Sequence, residues 1–141
     1  MAESLTATPR ALLDASVVID PPANLNSLIH SGAISTVTLA ELAYGLHTED
    51  AVLSAAREVR YQRILSLFDP IPYSAGAARM YGGLCAAVRA SGRDPRPRRF
   101  DLLLASVAAD ERIPLLTRNP RHLAGLHPMV QVMAVSPGIP S

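Results

Sequence analysis

Asp14 and Ser16 stand inside an otherwise apolar run, Leu12-Leu13-Asp14-Ala15-Ser16-Val17-Val18-Ile19. A run of this kind reads as a strand buried on both faces of a parallel sheet. Ligands of such sheets bind beyond the carboxyl ends of the strands. A carboxylate there is costly to bury unless it is paired or coordinated. Asp14 and Ser16 therefore either bond the amides of the following turn or belong to a cation site. Glu41 and Asp101 pose the same question, each in the first turn of an expected helix. Ordinary roles exist for both: Thr38-x-x-Glu41 spells a capping box, and Asp101 complements a helix dipole. Asn119, before Pro120, reads as a cap. Taken together, three carboxylates gathered at one sheet edge would repel one another unless a cation neutralised them. Oxygen ligands without a His or Cys pair at ligand spacing favour Mg²⁺ or Mn²⁺ over zinc. Such a site commonly activates water against phosphate esters.

Arginine surrounds this acid set. Arg93, Arg96, Arg98 and Arg99 lie in the segment leading into Asp101, and Arg118 lies beside Asn119. They are candidates for phosphate contacts, with a solvated face as the alternative. All thirteen basic residues are Arg, the residue best suited to bidentate phosphate contacts. Residues 1–70 hold four Arg against eight acids, a net of −4, and residues 71–141 hold nine against four, a net of +5.

At 141 residues the chain suits one domain. A hydrophobic share of 49% against 18% charged residues points to a packed core rather than disorder. No signal peptide is apparent at the start, and no stretch approaches the ~20 apolar residues that span a bilayer. A cytoplasmic protein without membrane contact is expected. The single Cys85 forms no internal disulfide and reads as a small buried hydrophobe.

Strands and helices must alternate to position the acids. Residues 1–10 are a polar arm, 11–136 the domain and 137–141 a tail. Ala11–Asp14 opens the sheet. Asp20-Pro21-Pro22 starts a short helix through Leu25, Leu28 and Ile29 that ends at Ser31-Gly32. Ala33–Val37 is the second strand, and a helix runs from Thr38 to Gly45. A longer helix covers about Asp50–Phe68, with Val52, Ala56, Val59 and Arg63 on one stripe. Pro70–Tyr73 allows only a strand stub. Helices follow at about Ala75–Ala90 and Phe100–Asp110, separated by the basic loop Ser91–Arg99. Ile113–Thr117 is a strand, Asn119-Pro120 starts a short helix, and Val130–Val135 is the last strand. Gly82-Gly83 costs about 2 kcal/mol inside its helix relative to two alanines, which suggests a close approach there. Alternation without hairpin signals predicts an α/β fold with a central, mostly parallel sheet flanked by helices.

Four blocks in order, Leu-Leu-Asp14-Ala-Ser16-Val-Val, Thr38-Leu-Ala-Glu41-Leu-Ala-Tyr-Gly45-Leu, Phe-Asp101-Leu-Leu-Leu-Ala105 and Leu-Leu-Thr117-Arg-Asn119-Pro, resemble the PIN-domain ribonucleases. Among them the chain looks most like VapC-type toxins of bacterial toxin–antitoxin (VapBC) pairs, over about residues 11–135. The resemblance implies a three-layer α/β/α domain and Mg²⁺- or Mn²⁺-dependent endonucleolytic cleavage of RNA, whether transfer, ribosomal or messenger. It implies a cognate antitoxin and a homodimer. It maps the family's metal-binding, catalytic acids onto Asp14, Glu41 and Asp101, and its supporting polar positions onto Ser16, Thr117 and Asn119. His122 departs from the pattern, occupying a position that is often acidic and so weakening the case for a second metal. The Asp14 motif also starts late, so residues 1–10 are either extra or the product of a misassigned start codon.

Other aspartate-and-metal folds fit less well. Haloacid-dehalogenase-type phosphatases want a second Asp where Ser16 stands, and they and receiver domains need a Lys; the chain has none. The remaining rival is a degenerate, non-catalytic PIN domain that binds RNA or protein. Tyr44, Leu46, Gly82 and Gly83 are candidates for an apolar partner surface.

Overall fold

The computed structural model describes residues 7–135. The expected arm residues 1–6 and tail residues 137–141 lie outside them. Four parallel strands, β1 (Thr8–Leu13), β2 (Ile29–Ala33), β3 (Leu115–Thr117) and β4 (Val132–Ala134), form a sheet in the order β2-β1-β3-β4. The described helices are α1 (Ala15–Ile19), α2 (Leu25–Leu28), α3 (Thr36–Tyr44), α4 (Ala51–Leu67), α5 (Ala75–Ala90) and α6 (Arg99–Glu111). None is long and apolar enough to cross a membrane.

Helices cover both faces of the sheet, and the central strands show why. On β1, Leu12 packs into one core with Leu84, Leu102, Ala105 and Val107 of α5 and α6. Its neighbours Ala11 and Leu13 point the other way, into a second core with Val17, Ile34, Leu42 and Ile64. Leu115 and Leu116 of β3 divide between the same two cores. An unbroken apolar run is what a strand buried on both faces requires.

Boundaries moved where polar composition concealed pairing. β1 begins at Thr8, so Thr8–Arg10 are strand rather than arm, paired through Thr8 with Ile29 and Arg10 with Ser31. Only β2 flanks that end of β1, so exposed Pro9 and Arg10 are accommodated. The second strand lies at Ile29–Ala33, ahead of the expected Ala33–Val37. Gly32 resembles a helix stop in the sequence but is a close-approach residue: a Cβ there would come 2.8 Å from Leu13 Cδ1. The stretch after Asp20 holds only one helical turn, α2, while Ala15–Ile19 forms a helix directly after β1. Ser35 pairs with Ile71, so the expected stub at Pro70–Tyr73 extends the sheet by a single bridge.

On α4 the expected stripe faces outward. Val52 and Val59 are 81% and 70% exposed, and Ile64 is the residue the helix buries. Cys85 is only partly buried, packed against the larger core. The approach expected at Gly82-Gly83 is one-sided: space beyond Gly82 is open, and Gly83 meets the Met129 methyl.

The α5–α6 pairing is pinned at one end by Asp110. Ser74 caps α5 through the Ala77 amide and donates to Asp110 Oδ2 at 2.9 Å. A Cβ on Gly76 would stand 2.3 Å from Asp110 Oδ1, so the carboxylate can reach the cap only across a bare glycine. Gly76→Ala should therefore destabilise the protein by about 1–2 kcal/mol, mainly by expelling Asp110. Denaturant unfolding checks this, and the cost should shrink in an Asp110→Ala background, where there is no carboxylate to displace.

Candidate active site

The carboxyl ends of β1 and β3 lie side by side, and Asp14 follows directly on β1. Its backbone amide donates to the Leu116 carbonyl at 3.2 Å, which fixes the residue against β3. Its side chain caps α1: Oδ1 accepts from the Val17 amide at 3.2 Å and from the Ser16 hydroxyl. Oδ2 accepts from Thr117 Oγ1, at the end of β3. Both hydroxyls are themselves held. Ser16 Oγ accepts the Arg118 amide at 3.3 Å, and Thr117 Oγ1 accepts the Asn119 amide at 3.0 Å. Asp14 thus caps α1 and also borders a cavity. Hydrogen bonds satisfy the carboxylate as a cap while it still faces a cavity.

That cavity measures about 340 Å³. It is lined by Asp14, Ser16, Glu41, Asp101, Thr117, Asn119 and His122, together with Ala15, Phe100, Leu104 and Leu123. All seven polar side chains expected at the site meet there.

Two of them arrive differently from the sequence expectation. α3 starts at Thr36, capped by Ser35, whose hydroxyl accepts the Val37 and Thr38 amides at 3.1 and 3.3 Å. The capping box at Thr38-x-x-Glu41 therefore does not form. Thr38 is fully buried within the helix, and its hydroxyl has no hydrogen-bond partner among the described residues. Glu41 sits a turn further along, freed from capping to face the acids. Asn119 makes no side-chain cap either, although the Pro120–Leu123 3₁₀ turn begins where expected. Its side chain lines the cavity instead.

Electrostatics mark the pocket as short of positive charge. The Glu41 carboxyl is pushed above its ordinary value, first by removal from water, then by repulsion from Asp101 and Asp14. Glu41 stays accessible, but the recess around it displaces enough water to matter. Asp101, in the first turn of α6, is also raised, mainly by burial. The positive fields of His122 and Arg98 oppose that rise, and Asp14 adds to it. His122 Nδ1 stands 3.6 Å from Asp101 Oδ2, so the departing residue faces the acids rather than solvent alone.

The arginines disperse. Arg96 clamps Asp94 with contacts of 3.1 and 3.2 Å, and Arg99 Nε donates to the Arg96 carbonyl at 3.1 Å. Arg93 and Arg96 line an open depression with Arg89, which sequence reasoning missed because it closes a helix outside the basic loop. That loop is itself partly ordered, as a 3₁₀ turn at Arg96–Arg98 leading into α6. Arg118 turns inward, its side chain 14% exposed and one guanidinium nitrogen on the Asp20 carbonyl at 2.5 Å. It braces β3 against the end of α1. Phe100 was also missed as a pocket residue; its only sequence signal is its place directly before Asp101.

Known proteins match this arrangement. The family model described as PIN domain matches residues 11–124. Ribonuclease VapC5 of Mycobacterium tuberculosis strain H37Rv is 33% identical over 125 residues, covering 82% of this chain and 87% of the relative. The crystal structure of VapBC-5 from M. tuberculosis, a member of the VapBC family of toxin–antitoxin systems, superposes with a TM-score of 0.76 at 30% identity. The match covers 89% of this chain and 98% of that one. VapBC2 of Rickettsia felis, bound to a DNA fragment from its promoter, shares the fold with a TM-score of 0.75 at 24% identity, over 90% and 99% of the two chains. With its acids at the carboxyl edge of a four-stranded parallel sheet and helices on both faces, the chain belongs to the PIN-domain family, on its VapC branch.

Proposed function

We propose that the protein is a divalent-metal-dependent endoribonuclease, the toxin of a toxin–antitoxin pair, and that Asp14, Glu41 and Asp101 are its metal-binding, catalytic acids. The observation that carries this reading is the convergence of the three carboxylates on one cavity, with Glu41 and Asp101 raised by burial and by their acidic neighbours. The kinship with Ribonuclease VapC5 supports RNA as substrate, and VapBC-5 supports a cognate antitoxin as partner.

The donor set fits a hard, hydrated cation. Among the described residues no group of three or more His, Cys, Asp or Glu side chains is placed to hold a metal ion, so waters and substrate would have to complete the coordination of any ion bound there. Zinc in a structural site requires a closed set of four ligands. Mg²⁺ commonly takes one or two carboxylates and keeps several waters, and Mn²⁺ follows similar oxygen chemistry. When bound, such an ion would polarise the scissile phosphate and make an attacking water more acidic. The chain's own residues do the rest. Ser16, Val17 and Thr117 hold the Asp14 carboxylate in one orientation. Glu41 and Asp101 supply negative charge that a cation relieves. His122, beside Asp101, weakens that charge where many relatives of this fold add to it.

The partner reading has a surface as well. An apolar groove of about 390 Å³ is lined by Val17, Ile19, Leu25, Ile64, Leu67 and Phe68, with Arg60 and Arg63 on its wall. An antitoxin segment with apolar residues on one face and acids beside them would fill it. Tyr44 is 85% exposed on α3, a further anchor for that partner or for a second copy of the chain.

Purified protein should cleave RNA only with a divalent cation present, and Asp14→Asn should reduce the rate at least a hundredfold, the scale expected from removing a preorganised catalytic group. Wild-type rates in Asp14→Asn would refute the assignment. RNA binding without cleavage by the native protein would favour the non-catalytic alternative.

Acid should inhibit cleavage at limiting metal. A carboxyl whose value is raised loses its proton at higher pH, and only the deprotonated form binds cations. Activity should therefore decline on acidification before an ordinary Glu, near 4.5, would titrate. The metal-free protein carries the opposite sign in stability: raised carboxyls favour the native state below their unfolded values and oppose it above. Glu41→Gln should thus melt higher than wild type at neutral pH, with the gap closing below about pH 4.5. Calorimetry with chelator present measures both curves.

His122→Asp should lower the Mg²⁺ concentration for half-maximal cleavage and reduce any preference for Mn²⁺, since imidazole suits Mn²⁺ better than Mg²⁺. Identical metal titrations for the two proteins would remove His122 from the metal site.

A further inference from the structure

Phe100 has no part in holding a cation, yet it lines the acid pocket. Its side chain is 45% exposed, whereas Leu102, Leu104 and Ala105 on the same helix are buried. Leu104 and Leu123 line the cavity with it. The pocket therefore has two unlike walls, one of carboxylates, hydroxyls and an amide, the other apolar. Hydrolysis of a phosphodiester uses only the first. The cavity, about 340 Å³, has room for roughly ten waters at about 30 Å³ each, more than hydration of one cation demands.

Single exposed phenylalanines are ordinary on protein surfaces. Position distinguishes this one. The chain has two Phe and no Trp, and one of the two stands between Arg99 and Asp101 at the mouth of the site. Arg98, whose charge reaches Asp101, lies two residues away. Guanidinium groups for phosphates beside an aromatic face for a base is the recurring composition of single-stranded nucleic-acid platforms.

We propose that Phe100 stacks the base of a nucleotide adjoining the scissile phosphate. The inference rests on the ribonuclease reading. In a duplex both faces of each base are covered by neighbours, leaving none for the ring. Stacking accepts any base, so Phe100 governs affinity rather than base identity.

Because the chain has no Trp, Phe100→Trp places a single indole reporter at this point. In an Asp14→Asn background, which prevents cleavage, a single-stranded oligoribonucleotide should quench that fluorescence, and a blunt duplex of the same sequence should not. With Asp14 intact, Phe100→Leu should raise KM about tenfold with kcat little changed, and Phe100→Tyr should restore it. Equal quenching by duplex and single strand, or a wild-type KM in Phe100→Leu, would overturn the proposal. So would fluorescence that ignores RNA but responds to an antitoxin, which would assign the ring to a protein partner. Quenching without any cleavage by the native protein would leave the stacking role standing and remove the ribonuclease reading. Cleavage without quenching would do the reverse.

Discussion

The Asp14 carboxylate is the contact on which the site depends. Three donors converge on it: the Ser16 hydroxyl and Val17 amide at the start of α1, and the Thr117 hydroxyl at the end of β3. One side chain thus joins the exits of the two central strands to the helix that follows the first. The connection continues outward, because Ser16 and Thr117 accept the amides of Arg118 and Asn119. The loop that carries Asn119 and His122 is anchored to the same carboxylate. Hydrogen bonds to a charged acceptor are stronger than neutral ones, and linked donors reinforce each other. The acid is in this way built into the fold.

Its neighbours pull in the opposite direction. Glu41 and Asp101 lack such a set of donors and are raised by lost hydration and by the acids around them. The pocket stores repulsion that the rest of the domain must offset. Two cores, one on each face of the sheet, do so with almost wholly apolar side chains. Sites that are electrostatically strained but held by rigid packing are the usual trade between stability and function.

Outside the cores the chain leaves apolar surface uncovered. α4 buries only Ile64 and turns Val52 and Val59 to solvent. The groove beside it carries Arg60 and Arg63 on its wall. Val52, Ala56, Val59 and Arg63 share one stripe, but α4 lies at the margin of the smaller core and only its C-terminal half reaches it. Sequence periodicity reports which residues share a helix face. It does not report whether another layer exists to cover that face.

The sequence by itself determined the class of fold and singled out three carboxylates that line one cavity. Leu12, Leu13, Leu115 and Leu116 are apolar in succession because both sheet faces are buried, a constraint legible without coordinates. Asp14, Glu41 and Asp101 stood out because a carboxylate at a strand exit or helix start demands a partner. What it could not determine was anything set by contact across the chain. Gly32 reads as a helix stop unless one knows that Leu13 lies against it. Thr38-x-x-Glu41 satisfies the capping pattern, yet Ser35 takes the cap because strand pairing at Ile71 ends the extended segment there. Arg118 reads as a surface cation in a row of residues, whereas its guanidinium is turned inward onto Asp20. Phe100 carries no mark of a pocket residue in the sequence, yet it lines the cavity of the acids in the folded chain. Local spacing specifies residue types and their helix or strand period, whereas the surroundings of each side chain depend on distant segments that only packing brings together.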